Sequence, residues 1–373
     1  MKKLIYADNA ATTKLDIDAF EAMKPFLLED FANPSQPYSF SRSAKKAIKT
    51  ARNIIAECIC ASPEEIYFTS GGTESDNWAI KGVNNYTSDK KHIITSLFEH
   101  HAILNSCKSI ENTTDIIYLK PNEDGIILSD SLQKVMSDNV KLVSIMLGNN
   151  EIGTIQPVKK LSEIAHQYGA IFHTDAVQAV GHIPIDVTDL GIDMLSASAH
   201  KFNGPKGIGF LYIKKGTKIK PYSDGGAQET SLRAGTENVA SIVGMAVALE
   251  KHCKNIDNHI SHITMLENHL INKLKNNNVN FIRNGNGTTL PGVISLSFNG
   301  CDGESILHRL DLMGICVSTG AACDTKTTEI SHVLQSMDIP SSYAKGTIRI
   351  SIGKDNTIDE IDSIADSLIK ILK

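Results

Sequence analysis

Lys201 closes a run of small residues, Ser196-Ala197-Ser198-Ala199-His200-Lys201, and leads into the turn-like Phe202-Asn203-Gly204-Pro205. Most lysines are simply solvated. Here the small hydroxyl and methyl side chains leave room for a bulky ligand, and partial desolvation would depress the amine pKa and favour a nucleophile. A second cluster, Thr69-Ser70-Gly71-Gly72-Thr73-Glu74-Ser75, runs a strand through two glycines into a helix. Adjacent glycines turn backbone N–H groups toward an anion and the helix start adds its positive dipole end, which suits a phosphate. The cluster is neither a Walker A loop nor a GxGxxG fingerprint, and it reads equally as a tight turn with a Thr cap. Asp175 ends a very apolar run, where a carboxylate needs a cationic or hydrogen-bonding partner. A protonated pyridine nitrogen would be one such partner, and a helix N-cap is the plainer alternative.

Three further groups could carry chemistry. Asn149 and Asn150 follow another apolar run, and Glu99-His100-His101 follow a third. The histidine pair raises zinc, but no acidic or Cys ligand follows at a recognisable spacing, so no metal site is expected. The seven cysteines stand at 58, 60, 107, 253, 301, 316 and 323. Their odd count and the lack of a CxxC pair argue against a disulfide framework. Most read as buried or inert thiols of a reducing compartment, Cys58 and Cys60 as helix-core residues and Cys316 as core. Cys323 sits in Ser318-Thr319-Gly320-Ala321-Ala322-Cys323-Asp324, a small, polar stretch that reads as a loop. Exposed loop thiols oxidise, so a nucleophile and an inert thiol both remain open there.

The elements that must position these groups follow from periodicity. Near-continuous apolar runs at 66–69, 92–97, 116–119, 142–147, 170–174, 194–196 and 208–213 read as strands buried on both faces. Helical patterns lie between them, such as 158–168 with Gly169 as its stop, which argues for an α/β domain on a mostly parallel sheet. Ligands of such sheets bind beyond the carboxyl ends of the strands, where these clusters stand. From about 250 the pattern changes. A polar helix over 251–278, a strand over 292–298, a helix over 304–313 and an amphipathic helix over 357–373 read as a smaller α+β domain. Thr357 and Glu360 make a capping-box pattern at the start of the last helix.

With 373 residues the chain exceeds the size of one core, and 41% hydrophobic and 21% charged residues are ordinary for a globular protein. A formal net charge of -5 gives no electrostatic reason to expect nucleic acid, and no Lys/Arg block points to a membrane surface. No apolar stretch reaches 18 residues, and MKKLIYADNAATT lacks a signal-peptide core, so a cytoplasmic location is expected.

In order along the chain, YADNAATT, FANPSQPYSFSR, TSGGTESDN, FEHHAILN, NNEIGTIQP, FHTDAVQAVGHIPID, SASAHKFNGPKGIGFLY, LRAGTEN, FNGCDGESIL, STGAAC and TIRISIG resemble the class V aminotransferase family of pyridoxal-phosphate (PLP) enzymes. Within it they resemble the cysteine desulfurases of the NifS/IscS type. The resemblance implies the PLP-dependent transferase fold type I, with a mostly parallel seven-stranded sheet flanked by helices. A large PLP-binding domain over 14–250 and a small α+β domain over 1–13 and 251–373 are implied with it. It implies Lys201 as the Schiff-base lysine, Asp175 at the pyridine nitrogen, Gln178 at the ring hydroxyl and Asn150 beside the ring. His100 would stack on the ring and act as acid or base. Gly72, Thr73, Ser198 and His200 would hold the phosphate. Thr236 would reach the phosphate of a neighbouring subunit, which implies a homodimer. Arg349, assisted by Asn33, would bind the substrate carboxylate, a bidentate task suited to guanidinium.

The implied reaction takes sulfur from L-cysteine. The freed lysine removes the Cα proton, the Cys323 thiolate takes the sulfur as a persulfide, and L-alanine leaves. The sulfur then passes to an acceptor protein, an Fe–S scaffold or a tRNA-thiolation enzyme. Asp324 departs from the family pattern, and a carboxylate beside the thiol would raise its pKa. The sequence stops at Lys373, without the extension by which some members dock the scaffold, and Cys301 has no assigned role. A selenocysteine lyase or other class V enzyme is the alternative, and a catalytically silent sulfur-carrier or assembly protein a second.

Overall fold

The computed structural model describes residues 4–86, 91–320 and 330–373. After a short strand β1 (Ile5–Tyr6), seven strands form the main sheet: β2 (Ile66–Thr69), β3 (His92–Ser96), β4 (Asp115–Leu119), β5 (Val140–Ser144), β6 (Ile171–Asp175), β7 (Met194–Ser198) and β8 (Gly209–Ile213). Their order is β2-β8-β7-β6-β5-β3-β4, and only β8 runs against its neighbours. Every residue of β5, β7 and β8 is buried, as a sheet covered on both faces requires. The mostly parallel seven-stranded sheet is the one expected.

Helices supply the cover: α1 (Ile17–Leu28), α2 (Arg42–Cys58), α3 (Gly72–Tyr86), α4 (His101–Lys108), α5 (Ser129–Val135), α6 (Val158–Gln167) and α7 (Val239–Lys254). Alternate strand residues face opposite sides. Leu142, Met194 and Leu211 join Trp78, Ile80 and Ile103 of α3 and α4 in one apolar cluster. Val143, Leu195 and Tyr212 join α2, α6 and α7 in another. The rest of the chain adds α8 (Ile256–Asn276), β9 (Ile282–Asn284), β10 (Val293–Ser297), α9 (Gly303–Leu312), β11 (Ile315–Cys316), α10 (His332–Ser336), α11 (Ser341–Ala344), β12 (Thr347–Ser351) and α12 (Ile358–Leu372). Strands β12, β10 and β9 form an antiparallel sheet, and β11 pairs with β1 in parallel. A third apolar cluster lies among α8, α12 and this sheet. No described helix is long and apolar enough to cross a membrane.

Three local expectations need correction. The helix expected over 251–278 is two helices. Asn255, at φ -117 and ψ 15, breaks it, and its side-chain amide donates to the Lys251 carbonyl and so ends α7. The strand expected at 142–147 lies at 140–144, because Lys141 is buried within it and donates to Asn84 Oδ1 over 2.7 Å. Cys60 is not a helix-core residue but exposed, at φ 57 just beyond α2. The Ala61 N–H reaches the Ala56 carbonyl and the Cys60 N–H the Glu57 carbonyl, a left-handed helix stop that glycine usually occupies. Cys58, the last residue of α2, and Cys316, expected in the core, are both only half-buried.

Candidate active site

The polar clusters meet beyond the carboxyl ends of β2, β3, β5, β6 and β7, around a cavity of about 550 Å³. At one end β2 passes into α3 through Ser70, Gly71 and Gly72. A Cβ on Gly72 would fall 2.5 Å from Val177 Cγ2, so only glycine lets the first turn of α3 lie against the segment after β6. Glu74 fixes the turn, accepting the Ser70 N–H over 2.9 Å and the Arg233 Nε–H over 2.9 Å. Burial pushes the Glu74 carboxyl up, but the Arg233 and Ser70 hydrogen bonds outweigh it and hold the group below its ordinary value. The first N–H groups of α3 have no acceptor within the helix, and Gly72, Thr73, Ser198 and His200 share this wall. Burial, then Lys201 and Lys206, drive the His200 pKa down to about 4, so its ring is neutral at pH 7.

The opposite wall is acidic. Asp175 ends β6 and accepts the Val177 N–H over 2.9 Å. The chain then runs through turns, so Asp175 caps no helix. Burial raises its pKa, opposed by His100, the Val177 N–H and Lys201. Asp76, from α3, is wholly buried and has one carboxylate oxygen without a hydrogen-bond partner; burial and then Asp175 push its pKa well up. His100 opens α4, and its Nδ1 accepts the Ala102 N–H over 3.1 Å. One ligating atom each from Asp76, His100 and Asp175 lies within 4.8 Å of the others. Two buried acids and an imidazole about one point could hold a cation, whether a metal ion or a protonated ring nitrogen.

Lys201 stands between the two walls. Its Nζ donates to the Ala10 and Ala11 carbonyls over 2.6 and 2.9 Å, and Gln178 Nε2 donates to Ala10 over 2.9 Å. The segment 10–12 thus lines the cavity, a role the sequence did not disclose. From β12, Arg349 donates through Nη1 to the Asn150 carbonyl over 2.9 Å and through Nη2 to Asp8 Oδ1 over 2.8 Å. It is 4% exposed, and its Nε has no partner. Burial pushes neighbouring Glu151 up to about 7, although the Ser331 hydroxyl donates to it over 2.6 Å.

Ten of the expected site residues therefore line one cavity: Gly72, Thr73, His100, Asn150, Asp175, Gln178, Ser198, His200, Lys201 and Arg349. Two are not among its lining residues. Asn33 accepts the Ser35 N–H in the loop after α1, and Thr236 is exposed ahead of α7. Cys323 lies outside the described residues. The sequence reading missed Asp8, Asp76 and Glu151. Each stands in a quoted block, but only burial or an ion pair distinguishes it from an ordinary polar residue.

The model of the class-V aminotransferases matches residues 5–364. The chain is 48% identical over 376 residues to the cysteine desulfurase IscS of Dictyoglomus turgidum, covering 100% of this chain and 95% of that protein. It is 44% identical over 373 residues to the cysteine desulfurase IscS of Methanosarcina thermophila, covering 100% and 92% respectively. A solved NifS-like protein superposes with a TM-score of 0.93 at 37% identity over 99% of both chains. A structure of SspA in complex with cysteine superposes with a TM-score of 0.84 at 35% identity, over 96% of this chain and 100% of that one.

Proposed function

The chain belongs to the class-V aminotransferase family and is a cysteine desulfurase, and we propose that it holds PLP in the cavity and moves sulfur from L-cysteine through Cys323. The observation that carries this reading is the placing of Lys201 between an anion cradle and a buried acidic wall. The donor set fits the cofactor. The glycine turn and the start of α3, with Thr73, Ser198 and His200, would hold a phosphate. Asp175 would keep a ring nitrogen protonated, and the unpartnered oxygen of Asp76 lies close to Asp175 and His100. Gln178 would bond the ring hydroxyl, and Asn150 and His100 would fix the ring.

When bound, the cofactor supplies an electron sink for the negative charge that develops at the substrate Cα. The protein residues do the rest. Arg349 binds the α-carboxylate through its unpartnered edge. The Lys201 amine takes the Cα proton and returns it, and His100 serves as a further acid or base. The Cys323 thiolate attacks the substrate sulfur. An S–S bond forms as the C–S bond breaks, and L-alanine leaves after protonation.

The same proposal includes a cytoplasmic homodimer that passes persulfide sulfur to an Fe–S scaffold or a tRNA-thiolation enzyme. Thr236 stands away from its own cavity, and Ile17, Phe20, Leu27, Leu28 and Phe31 form exposed apolar surface on and after α1, which supports a second subunit there. It also includes the division into 14–250 and 1–13 with 251–373, supported by the separate apolar cluster under α8 and α12. The test is to purify wild type, Lys201→Ala and Cys323→Ala, record their visible absorbance, and assay alanine and sulfide from L-cysteine. Lys201→Ala should lose both the protein-bound chromophore and turnover, while Cys323→Ala should keep the chromophore and lose sulfide release. Full turnover in Cys323→Ala would overturn the sulfur-transfer role. Unchanged absorbance in Lys201→Ala would overturn the cofactor site.

A further inference from the structure

Far from the cavity in sequence, the fold brings together two thiols 195 residues apart. Cys58 is the last residue of α2 and Cys253 the last but one of α7, and these helices pack against each other. Cys253 Sγ lies 3.9 Å from the Cys58 carbonyl oxygen, and the two thiols are within hydrogen-bonding reach of each other. Both are free and half-buried. We propose that Cys58 and Cys253 form a modification site, a dithiol that an uncharged peroxide converts into a disulfide joining the end of α2 to the end of α7.

The pair is asymmetric, which assigns the roles. The Cys253 S–H donates to the Cys58 carbonyl oxygen over 3.9 Å, with the Cys58 thiol beside it. The Cys253 sulfur and burial hold the Cys58 proton, while the Cys58 thiol eases ionisation of Cys253 against the effect of burial. Cys253 is therefore the nucleophile and Cys58 the resolving thiol. The Cys253 thiolate attacks one peroxide oxygen; an S–O bond forms, the O–O bond breaks, and the departing hydroxide takes a proton to become water. Cys58 then attacks the sulfenic sulfur; the S–S bond forms, the S–O bond breaks, and a second water leaves. Two thiols lose two electrons, and one peroxide becomes two waters. The charges of Glu250 and Glu57 oppose ionisation of Cys58 and repel anionic oxidants, which leaves a neutral peroxide as the reagent. Closing the sulfurs to the roughly 2.0 Å of a disulfide falls on two helix ends, where the backbone yields most readily. Cys60, two residues on, is exposed, but burial of its sulfur and the nearby Asp186 raise its pKa and set it aside as the attacking group.

The test uses the full chain loaded with its cofactor and carrying Cys323→Ser, so that the proposed sulfur-carrying thiol does not consume the oxidant. After hydrogen peroxide, free thiols are blocked and the protein is digested for mass spectrometry. The expected product is a peptide linking Cys58 to Cys253, with the loss of two titratable thiols per chain, both reversed by dithiothreitol. With Cys58→Ser added, Cys253 should instead be captured by dimedone as the sulfenic acid. An unchanged thiol count, a link from Cys60 to Cys253 in place of the expected one, or no dimedone adduct would overturn the proposal. None of these outcomes depends on the desulfurase reading.

Discussion

Gly72 makes a tight approach in the cavity, because its hydrogen atom faces Val177 where a methyl group would fall 2.5 Å from Cγ2. Gly72→Ala must push the first turn of α3 away from the segment that follows Asp175, and so separate the proposed phosphate cradle from the proposed ring partner. The expected result is a loss of PLP affinity of roughly tenfold or more, about 1.4 kcal/mol. Absorbance titration of the apoprotein measures it, with circular dichroism to verify the fold; unchanged affinity would remove Gly72 from the cradle. Among the residues, Lys201 and Asp175 were legible because each is an anomaly in one dimension. A lysine ends a run of small side chains, and a carboxylate ends an apolar strand. Asp76 gave no such signal. It lies in a polar helical stretch and becomes unusual only when the fold leaves it 1% exposed beside Asp175.

Helix α12 shows what an amphipathic element contributes. Ile361, Ile364, Ala365 and Leu368 are buried against α8 and the small sheet, and Thr357 and Glu360 cap the first turn reciprocally. Leu368→Ala removes side-chain volume from the middle of that stripe and should cost about 3 kcal/mol. Urea denaturation with an unchanged slope would show it, and a shift below about 0.5 kcal/mol would mean that the stripe is not held by packing. This helix and its cap were legible, since periodicity and capping residues act over a single turn. The break between α7 and α8 was not. Lys251 to Asn278 is rich in Asn and His and holds no Gly or Pro, so it reads as one helix, and what ends α7 is the geometry of Asn255, whose amide turns back to a carbonyl four residues earlier.

At the scale of the molecule, burial sets how stability responds to pH. Glu99 is pushed up to about 8 and Glu151 to about 7, mainly by loss of water. Their folded values lie above the ordinary value of 4.5, so the stability they contribute is complete below that value and is lost progressively until pH has risen through about 7 for Glu151 and about 8 for Glu99. His173 and His252 are driven down to about 3 by burial, so their contribution is present above about 6.5 and is lost as pH falls through the folded values. Melting temperature should therefore fall below about pH 4.5 and again from about pH 6.5 to 8, while between 4.5 and 6.5 the two effects oppose each other. Glu151→Gln should remove the part of the carboxyls' loss that falls between about pH 4.5 and 7, and an unchanged slope in that window would refute the assignment.

The sequence by itself determined the α/β class and the main strands to within a few residues, and it singled out Lys201 and Asp175. These are written locally, in period, residue size and the cost of a charge at the end of an apolar run. Only the tertiary structure decided that residues near 10, 72, 100, 150, 175, 201 and 349 line one cavity, and that Cys58 meets Cys253. Which polar groups lose their water, and which partners they then find, depends on packing between segments hundreds of residues apart, and no local pattern encodes that.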